Sequence, residues 1–459
     1  MSDTKLAYES PDPERPATES PALPPLQYEP PKFSPTEPQL DARHDPYAAL
    51  RFRDYRFYSI GWLCASIGFQ MQIAAIGWEI YKWTGSAMKM GLAGGIQALP
   101  LIVLALPAGH IADRYNRRTI AAMGQLTAAL CAIALAILSL SFAHGKIGAG
   151  TATYLMFWII FAGGVFSTFS RPARASILPH IVPQEAFTNA VTWSAFIFEF
   201  SSVAGPAIAG LVIAFTSPAH VYIIATALYI AFLVFLLLMH YHPKPHERPT
   251  HERHELLAGL KFVWRQKPIL ASLTLDLFAV LLGGAVYLMP IFAQELLHVG
   301  PIGFGWLRAA PAIGAFSMAM LLAHRRPLQR PGRALLWAVS AFGVATILFG
   351  LSRWFWLSMV ALILTGAFDN ISVVIRHTLI QILTPDSKRG RVSAVNSVFI
   401  GASNELGGFE SGVTAAWWGP VTSVVAGGIG TVLVVATVAL TWPQLRALGP
   451  LQSLKPTED

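Results

Sequence analysis

The chain of 459 residues has only two cysteines, and only 13% of it is Asp, Glu, Lys or Arg. Cys64 and Cys131 both fall inside apolar stretches without CxxC spacing, so neither a disulfide framework nor a thiolate metal site is indicated. An average soluble domain carries roughly 25% charged residues. About half that level excludes an ordinary water-soluble globule and points to lipid as the solvent. Acids are scarcer than bases, 25 against 33, for a net charge of +8. A basic balance suits nucleic acid, yet the bases lie at the ends of apolar segments rather than on one soluble face, so no nucleic-acid partner is expected. No Walker-type phosphate loop is present, so ATP drive is unsupported. No catalytic constellation occurs in any polar segment, and the chain is read as a non-enzyme without cofactor or metal.

What the chain does have is apolar length: 54% of it is hydrophobic, in segments of about twenty residues, each long enough to span a bilayer as a helix. Twelve candidate spans lie at 57–81, 88–112, 119–142, 152–172, 187–215, 219–241, 269–297, 302–324, 334–352, 355–384, 391–417 and 419–442. The fold class expected is an all-α integral membrane protein of two six-helix pseudo-repeats, 47–241 and 269–442. Residues 1–46 are a different material. They hold eleven prolines and nine acids against four bases. Such a segment cannot bury a core and reads as a disordered Pro-rich cytoplasmic tail, not a signal peptide.

Orientation follows from Lys and Arg. With the N-terminus inside, the cytoplasmic stretches hold 23 bases and the external loops four: Lys82, Lys89, Lys146 and Arg353. Both termini are therefore expected in the cytoplasm, in a cell (inner) membrane, with the 443–459 segment as a C-tail. The 242–268 linker carries Leu256, Leu260 and Val263 at helical spacing beside Lys261, Arg265 and Lys267, which predicts an amphipathic helix on the inner leaflet. Its histidines sit among prolines in a solvated setting that does not favour metal binding.

The two halves repeat. At an offset of 202, "RASILPHIVPQE" aligns with "RHTLIQILTPDS", pairing Arg174 with Arg376, Gly205 with Gly407 and Gly210 with Gly412. Parallel six-span repeats joined by a linker are a transporter architecture, with the substrate site between the halves near the midplane.

The stretch "GHIADRYNRR" resembles the signature between the second and third spans of the major facilitator superfamily, on Gly109, Asp113, Arg114, Arg117 and Arg118. "YKWTGSAMKMGLAGGIQALP", "RPARASILPHIVP" and "PDSKRGRVSAVNSVF" resemble the branch that holds the enterobactin exporter and related drug and siderophore efflux permeases. The resemblance implies a latch at Asp113 that forms and breaks, with Arg174 and Arg376 as its cross-partners. Positive-inside anchoring accounts for the arginines but requires neither Asp nor Gly. "SVAGPAIAG" in span 5 resembles the superfamily's antiporter signature on Gly205, Pro206 and Gly210, while Ser201 and Ala209 stand where that pattern has glycine.

Ionisable groups within spans cost roughly 2.5–3.5 kcal/mol on insertion scales and are functional candidates by default. Counted from the span ends, Asp369 and Glu405 fall near the midplane, Glu199 at mid-depth and Asp276 in the inner third. Asp369 and Arg376 lie two turns apart on one helix face, with Asn370 beside them. The superfamily lines its cavity with spans 1, 4, 7 and 10, which implies that Asp369, Arg376, Asp276, Gln70 and Gln72 face substrate. A midplane carboxylate can take up and release a proton as access alternates, and Asp369 is the first candidate; a permanent pairing with an Arg or Asn is the competing role. Glu410 shares span 11 with Glu405. Arg308 is either an anion-binding group or a counter-ion. The leading expectation is a monomeric exporter of a small amphipathic compound in exchange for protons. Uptake or exchange of an organic anion, and a non-transporting receptor or lipid-handling protein, are the alternatives.

Overall fold

In lipid an open backbone finds no water, so apolar segments of this length fold as helices. The computed structural model describes residues 45–240, 253–325 and 328–450, and among them there are helices and no strand. The first half holds α1 (Arg53–Thr84), α2 (Ala87–Arg114), α3 (Arg117–Ala143), α4 (Ala149–Ala175), α5 (Gln184–Phe215) and α6 (Pro218–Leu238). The second holds α7 (Lys267–Leu296), α8 (Gly300–Ala323), α9 (Pro331–Leu351), α10 (Phe355–Leu383), α11 (Asp386–Trp418) and α12 (Pro420–Thr441). Eleven of these are long and apolar enough to cross a membrane. The twelfth, α11, has 33 residues. Its charged start and its two mid-helix acids, Glu405 and Glu410, dilute its hydropathy. The tail expected over 1–46 lies outside the described residues up to position 44, as do 241–252 of the linker and the C-terminal 451–459.

Local chemistry sets the helix ends. Gly85 closes α1 in the left-handed region at φ +57°, its N–H on the Tyr81 carbonyl at 2.8 Å. Asn116 caps α3, its Oδ1 accepting from the N–H groups of Arg118 (3.0 Å) and Thr119 (3.4 Å). Pro218, Pro331 and Pro420 open α6, α9 and α12, where a missing N–H costs nothing.

Two elements differ from expectation. Span 7 is broken: regular helix runs Lys267–Leu282, the chain unwinds at Gly283 and Gly284, and a 3₁₀ turn (Ala285–Leu288), a single α turn (Met289–Ile291) and a π turn (Phe292–Leu296) follow. Adjacent glycines hold a helix weakly, and here they let other helices close in. A Cβ on Gly283 would meet the Phe342 ring at 2.6 Å. Pro290, just beyond, has no N–H to give. The linker helix (Arg253–Arg265) packs Phe262 and Val263 into the core of the second half rather than leaving them to the leaflet, and the side chains of 253–258 lie outside the described residues. Lys388 of α11 lies 5.2 Å from the Phe262 ring centre. Protein offers these side chains closer packing than lipid does.

The halves meet along α2 with α11 and α5 with α8. Both seams are backbone against backbone: a Cβ on Gly412 would stand 2.4 Å from the Gly91 Cα, and one on Gly210 2.5 Å from the Pro301 carbonyl. Gly205, beside Pro206 in α5, closes on Gln70 of α1, and Gly407 on the Val280 carbonyl of α7. The apolar core shows how unevenly the halves are joined. At the end away from the termini (the far end) one continuous cluster runs from Trp78 and Met156 across to Phe304, Phe349 and Ala415. At the terminal end there are two separate clusters, one around Tyr55 and Phe232, the other around Ile269 and Leu379. The molecule is closed at the far end and split at the other, and a cavity of about 800 Å³ lies between the halves.

Replacing Gly412 by Ala should overpack the α2–α11 seam, since backbone cannot step aside as a side chain can. A loss of about 1–3 kcal/mol is expected, seen as a lower midpoint of thermal unfolding in detergent.

Candidate functional site

The cavity draws its walls from both halves. Trp62, Phe69, Phe166, Phe198 and Phe342 supply aromatic surface. Against them stand two separate groups of charge.

The first group is built on the break in α7. By unwinding the helix, Gly283 and Gly284 turn Tyr287 and the Val286 carbonyl toward α11 and α8. The Tyr287 hydroxyl donates to Glu405 Oε2 at 3.1 Å, and Gln97 Nε2, from α2 of the opposite half, donates to Glu405 Oε1 at 3.1 Å. Arg308 Nη1 donates to the Val286 carbonyl at 3.4 Å. Arg308 and Arg171 both lie within electrostatic range of Glu405, and all three line the cavity. Glu405 is thereby held by two neutral donors and flanked by two cations.

The second group is Asp369 of α10. It lines the cavity and, among the described residues, makes no hydrogen bond or ion pair; the charge it feels is that of Glu199 on α5. The neighbouring Asn370 has its Oδ1 buried without a partner. Gln70 and Gln72 line the same cavity from α1. Gln70 donates to Ser202 Oγ at 2.8 Å, and Gln72 accepts from the Tyr229 hydroxyl at 3.1 Å.

Asp276 and Arg376 correct the expectation that they face substrate. They form an ion pair between α7 and α10, the Arg376 side chain 2% exposed and that of Asp276 8%. Neither lines the cavity. The physical reason is depth. Asp276 stands nine residues from the start of α7 and Arg376 seven from the end of α10, so the two lie at nearly one level above the terminal end. In a medium of low dielectric, opposite charges at one level pair with each other. Arg376 is thus taken up inside its own half rather than offered to a latch across the halves.

Within the signature stretch, the side chains of Gly109, Asp113 and Arg114 lie outside the described residues. Arg117 Nη1 reaches the Ser176 carbonyl at 3.3 Å, and Arg118 Nη2 donates to the Leu237 carbonyl at 2.6 Å. Both brace the start of α3 against its own half. Arg174 lies over the Trp62 ring, 4.5 Å from its centre, at the cavity wall.

One carboxylate had gone unmarked. Glu79 of α1 is 2% exposed, accepting from Ser139 Oγ of α3 at 2.6 Å and from the Tyr222 hydroxyl of α6 at 2.8 Å. An acid inside an apolar span was the available signal.

Two six-helix halves joined at one end around a central cavity are the architecture of a major facilitator membrane transporter. A family model described as transmembrane secretion effector matches residues 44–455, and the chain belongs to that family. It is 25% identical over 369 residues to the enterobactin exporter EntS of Escherichia coli O1:K1 / APEC, covering 80% of this chain and 86% of that one. The same figures hold for EntS of Shigella boydii serotype 18. Among solved structures, a bacterial homolog of the human lysosomal transporter Spinster, inward-facing and unoccupied, superposes with a TM-score of 0.67 at 14% identity, covering 88% of this chain and 99% of that one. The nucleoside transporter NupG gives 0.66 at 13%, with 86% and 100% covered. A bacterial homologue of the iron transporter ferroportin, inward-facing, gives 0.66 at 14%, with 84% and 98% covered. The protein is a multi-pass membrane transporter, not an enzyme.

Removing one partner of the Asp276–Arg376 pair leaves a buried charge alone. Asp276→Ala should cost about 3–5 kcal/mol, while the double variant D276L/R376M should recover most of it. Thermal unfolding of the purified proteins in detergent checks both.

Proposed function

We propose that this transporter exports a small amphipathic compound across the cell membrane in exchange for protons, by alternating access, as a monomer with both termini in the cytoplasm. The observation that carries the reading is Asp369, an acid without a partner among the described residues, in the wall of a cavity formed between the two halves. A charge kept there against its insertion cost is put to use. As access alternates, the Asp369 carboxylate meets one aqueous phase and then the other, and can exchange its proton with each. The aromatic walls suit an apolar body, and the Glu405 group suits a polar one. Export is the direction printed for the enterobactin exporter relatives.

The distribution of bases, 23 on the terminal side against four on the far side, supports cytoplasmic termini. In that orientation the split end of the molecule faces the cytoplasm. The gate there falls to Gly109, Asp113 and Arg114, with Arg117 and Arg118 holding α3 in place; Asp113 closes it when the cavity faces outward. Arg308 and Arg171 beside Glu405 favour a second reading, movement of an organic anion.

In proteoliposomes, Asp369→Asn should abolish pH-driven flux while expression and folding persist; undiminished flux rejects Asp369 as the coupling group. A substrate screen in inside-out vesicles under an imposed pH gradient fixes cargo and direction together, and flux into the vesicle lumen is the result expected. Asp113→Asn should raise cysteine accessibility at the cytoplasmic mouth, by biasing the protein toward the state described here.

A further inference from the structure

The cavity wall of the first half carries polar side chains that belong to neither group of charge. Helix α3 is not one of the spans expected to face the cavity, yet Gln125, Ala128, Cys131 and Leu135 form a stripe along its wall. Gly124 explains the access. A Cβ there would stand 2.4 Å from the Ser170 Cβ of α4, so α3 lies close enough to α4 to bring Gln125 to the wall. Between α1, α3 and α4 the cavity thus has a lobe inside one bundle.

The polar groups of the lobe stand on two levels. Nearer the terminal end, the Arg174 guanidinium covers the Trp62 ring, 4.5 Å from its centre. Stacking uses the face of a guanidinium and leaves its edge N–H groups for an oxygen. Among the described residues the Arg174 side chain makes no ion pair and no hydrogen bond. One helical turn deeper, roughly 5.4 Å, are Ser66 and Gln125. Ser66 follows Trp62 by four residues on α1, and Gln125 adjoins the Gly124–Ser170 contact, four residues before Arg174 on α4. Gln125 is 3% exposed and Ser66 5%, both line the cavity, and neither Gln125 Oε1 nor Ser66 Oγ has a hydrogen-bond partner. A buried polar atom left unpaired costs about 1–3 kcal/mol. A cation on one level and two unpaired oxygens on the next outline the ligand that would complete them.

We propose that this lobe is a cargo subsite for an aromatic hydroxy acid, its carboxylate on Arg174 and its ring hydroxyl between Gln125 and Ser66. The inference rests on the export reading above and deepens it by naming the class of cargo. The carboxylate accepts from the guanidinium edge, a charge-assisted contact. The hydroxyl donates to Gln125 Oε1 and accepts from the Ser66 hydroxyl, so both buried oxygens gain a partner. One helical turn between the levels suits a ring whose two substituents are not on adjacent carbons. A rigid ring also holds both groups at that spacing without the ordering cost of a flexible chain. A site built to meet a hydroxyl discriminates against the analogue that lacks one.

The test is equilibrium binding of tritiated 3-hydroxybenzoate and tritiated benzoate to the full-length protein in nanodiscs, without a pH gradient. The parent should bind 3-hydroxybenzoate saturably and about tenfold more tightly than benzoate, the scale set by a buried acceptor left unpaired. Gln125→Leu should bring the two acids to equal affinity while benzoate binding persists, and Ser66→Ala should narrow the preference in the same direction. Arg174→Gln should weaken both acids about tenfold or more, the scale of a hydrogen-bonded charge pair. Absence of saturable 3-hydroxybenzoate binding to the parent overturns the proposal. So does a preference that survives intact in both Gln125→Leu and Ser66→Ala, or parent-like affinity for both acids in Arg174→Gln. Binding is read at equilibrium, apart from transport. A protein that binds the hydroxy acid with this pattern but shows no pH-driven flux keeps the subsite and loses the export reading; pH-driven export of other compounds by a protein that does not bind it does the reverse.

Discussion

The approach of backbone to backbone at Gly91–Gly412 and Gly210–Gly305 is the contact on which the rest of the structure depends. It brings α2 onto α11 and α5 onto α8 closely enough for one apolar core to run through both halves. In lipid such closeness is the main source of helix association, because the solvent is as apolar as the side chains. The seams make their tightest contacts toward the far end, and the terminal-end cores stay separate. The cavity follows from that asymmetry rather than from any missing mass in the helices.

Charge is then sorted by whether it has an assigned partner. Asp276 is paired with Arg376, and Glu79 is hydrogen-bonded by two hydroxyls, each within one half. They bind helices of that half to each other and so help each bundle move as a unit. Glu405 occupies a middle position: Gln97 reaches it from the other half, while Tyr287 reaches it from the irregular part of α7. Among the described residues Asp369 has no hydrogen-bond or ion-pair partner. Groups locked within a half serve its rigidity, and those at or across the boundary remain available to a cycle in which that boundary changes.

The spans and the repeat were legible in the sequence because lipid dictates both segment length and the sites of punctuation. Residue counting singles out Asp369 and Glu405 as acids far from the span ends, and both line the cavity. Azimuth was not legible. Counting residues puts Asp276 and Arg376 at one level, but only packing shows that they face each other, a hundred residues apart in sequence. Glu79 is visible in the sequence as an acid inside an apolar span, but its partners are not, since they stand 60 and 143 residues away. The break in α7 was hidden as well. A Gly-Gly pair inside a long apolar run reads as ordinary close packing until a ring such as that of Phe342 is seen pressing on it.

The seat of the linker helix carries a mechanical consequence. Its Phe262 and Val263 are bedded in the second half against α11, so the helix travels with that half as a fixed appendage. The chain that joins the first half to this unit is then not the whole linker but the stretch from the end of α6 at Leu238 to Arg253. At no more than roughly 3.3–3.6 Å per residue, that stretch can reach about 50 Å at most. That length caps how far the halves can part. A partner that seized the linker helix would be holding one half of the machine, and through it the whole stroke.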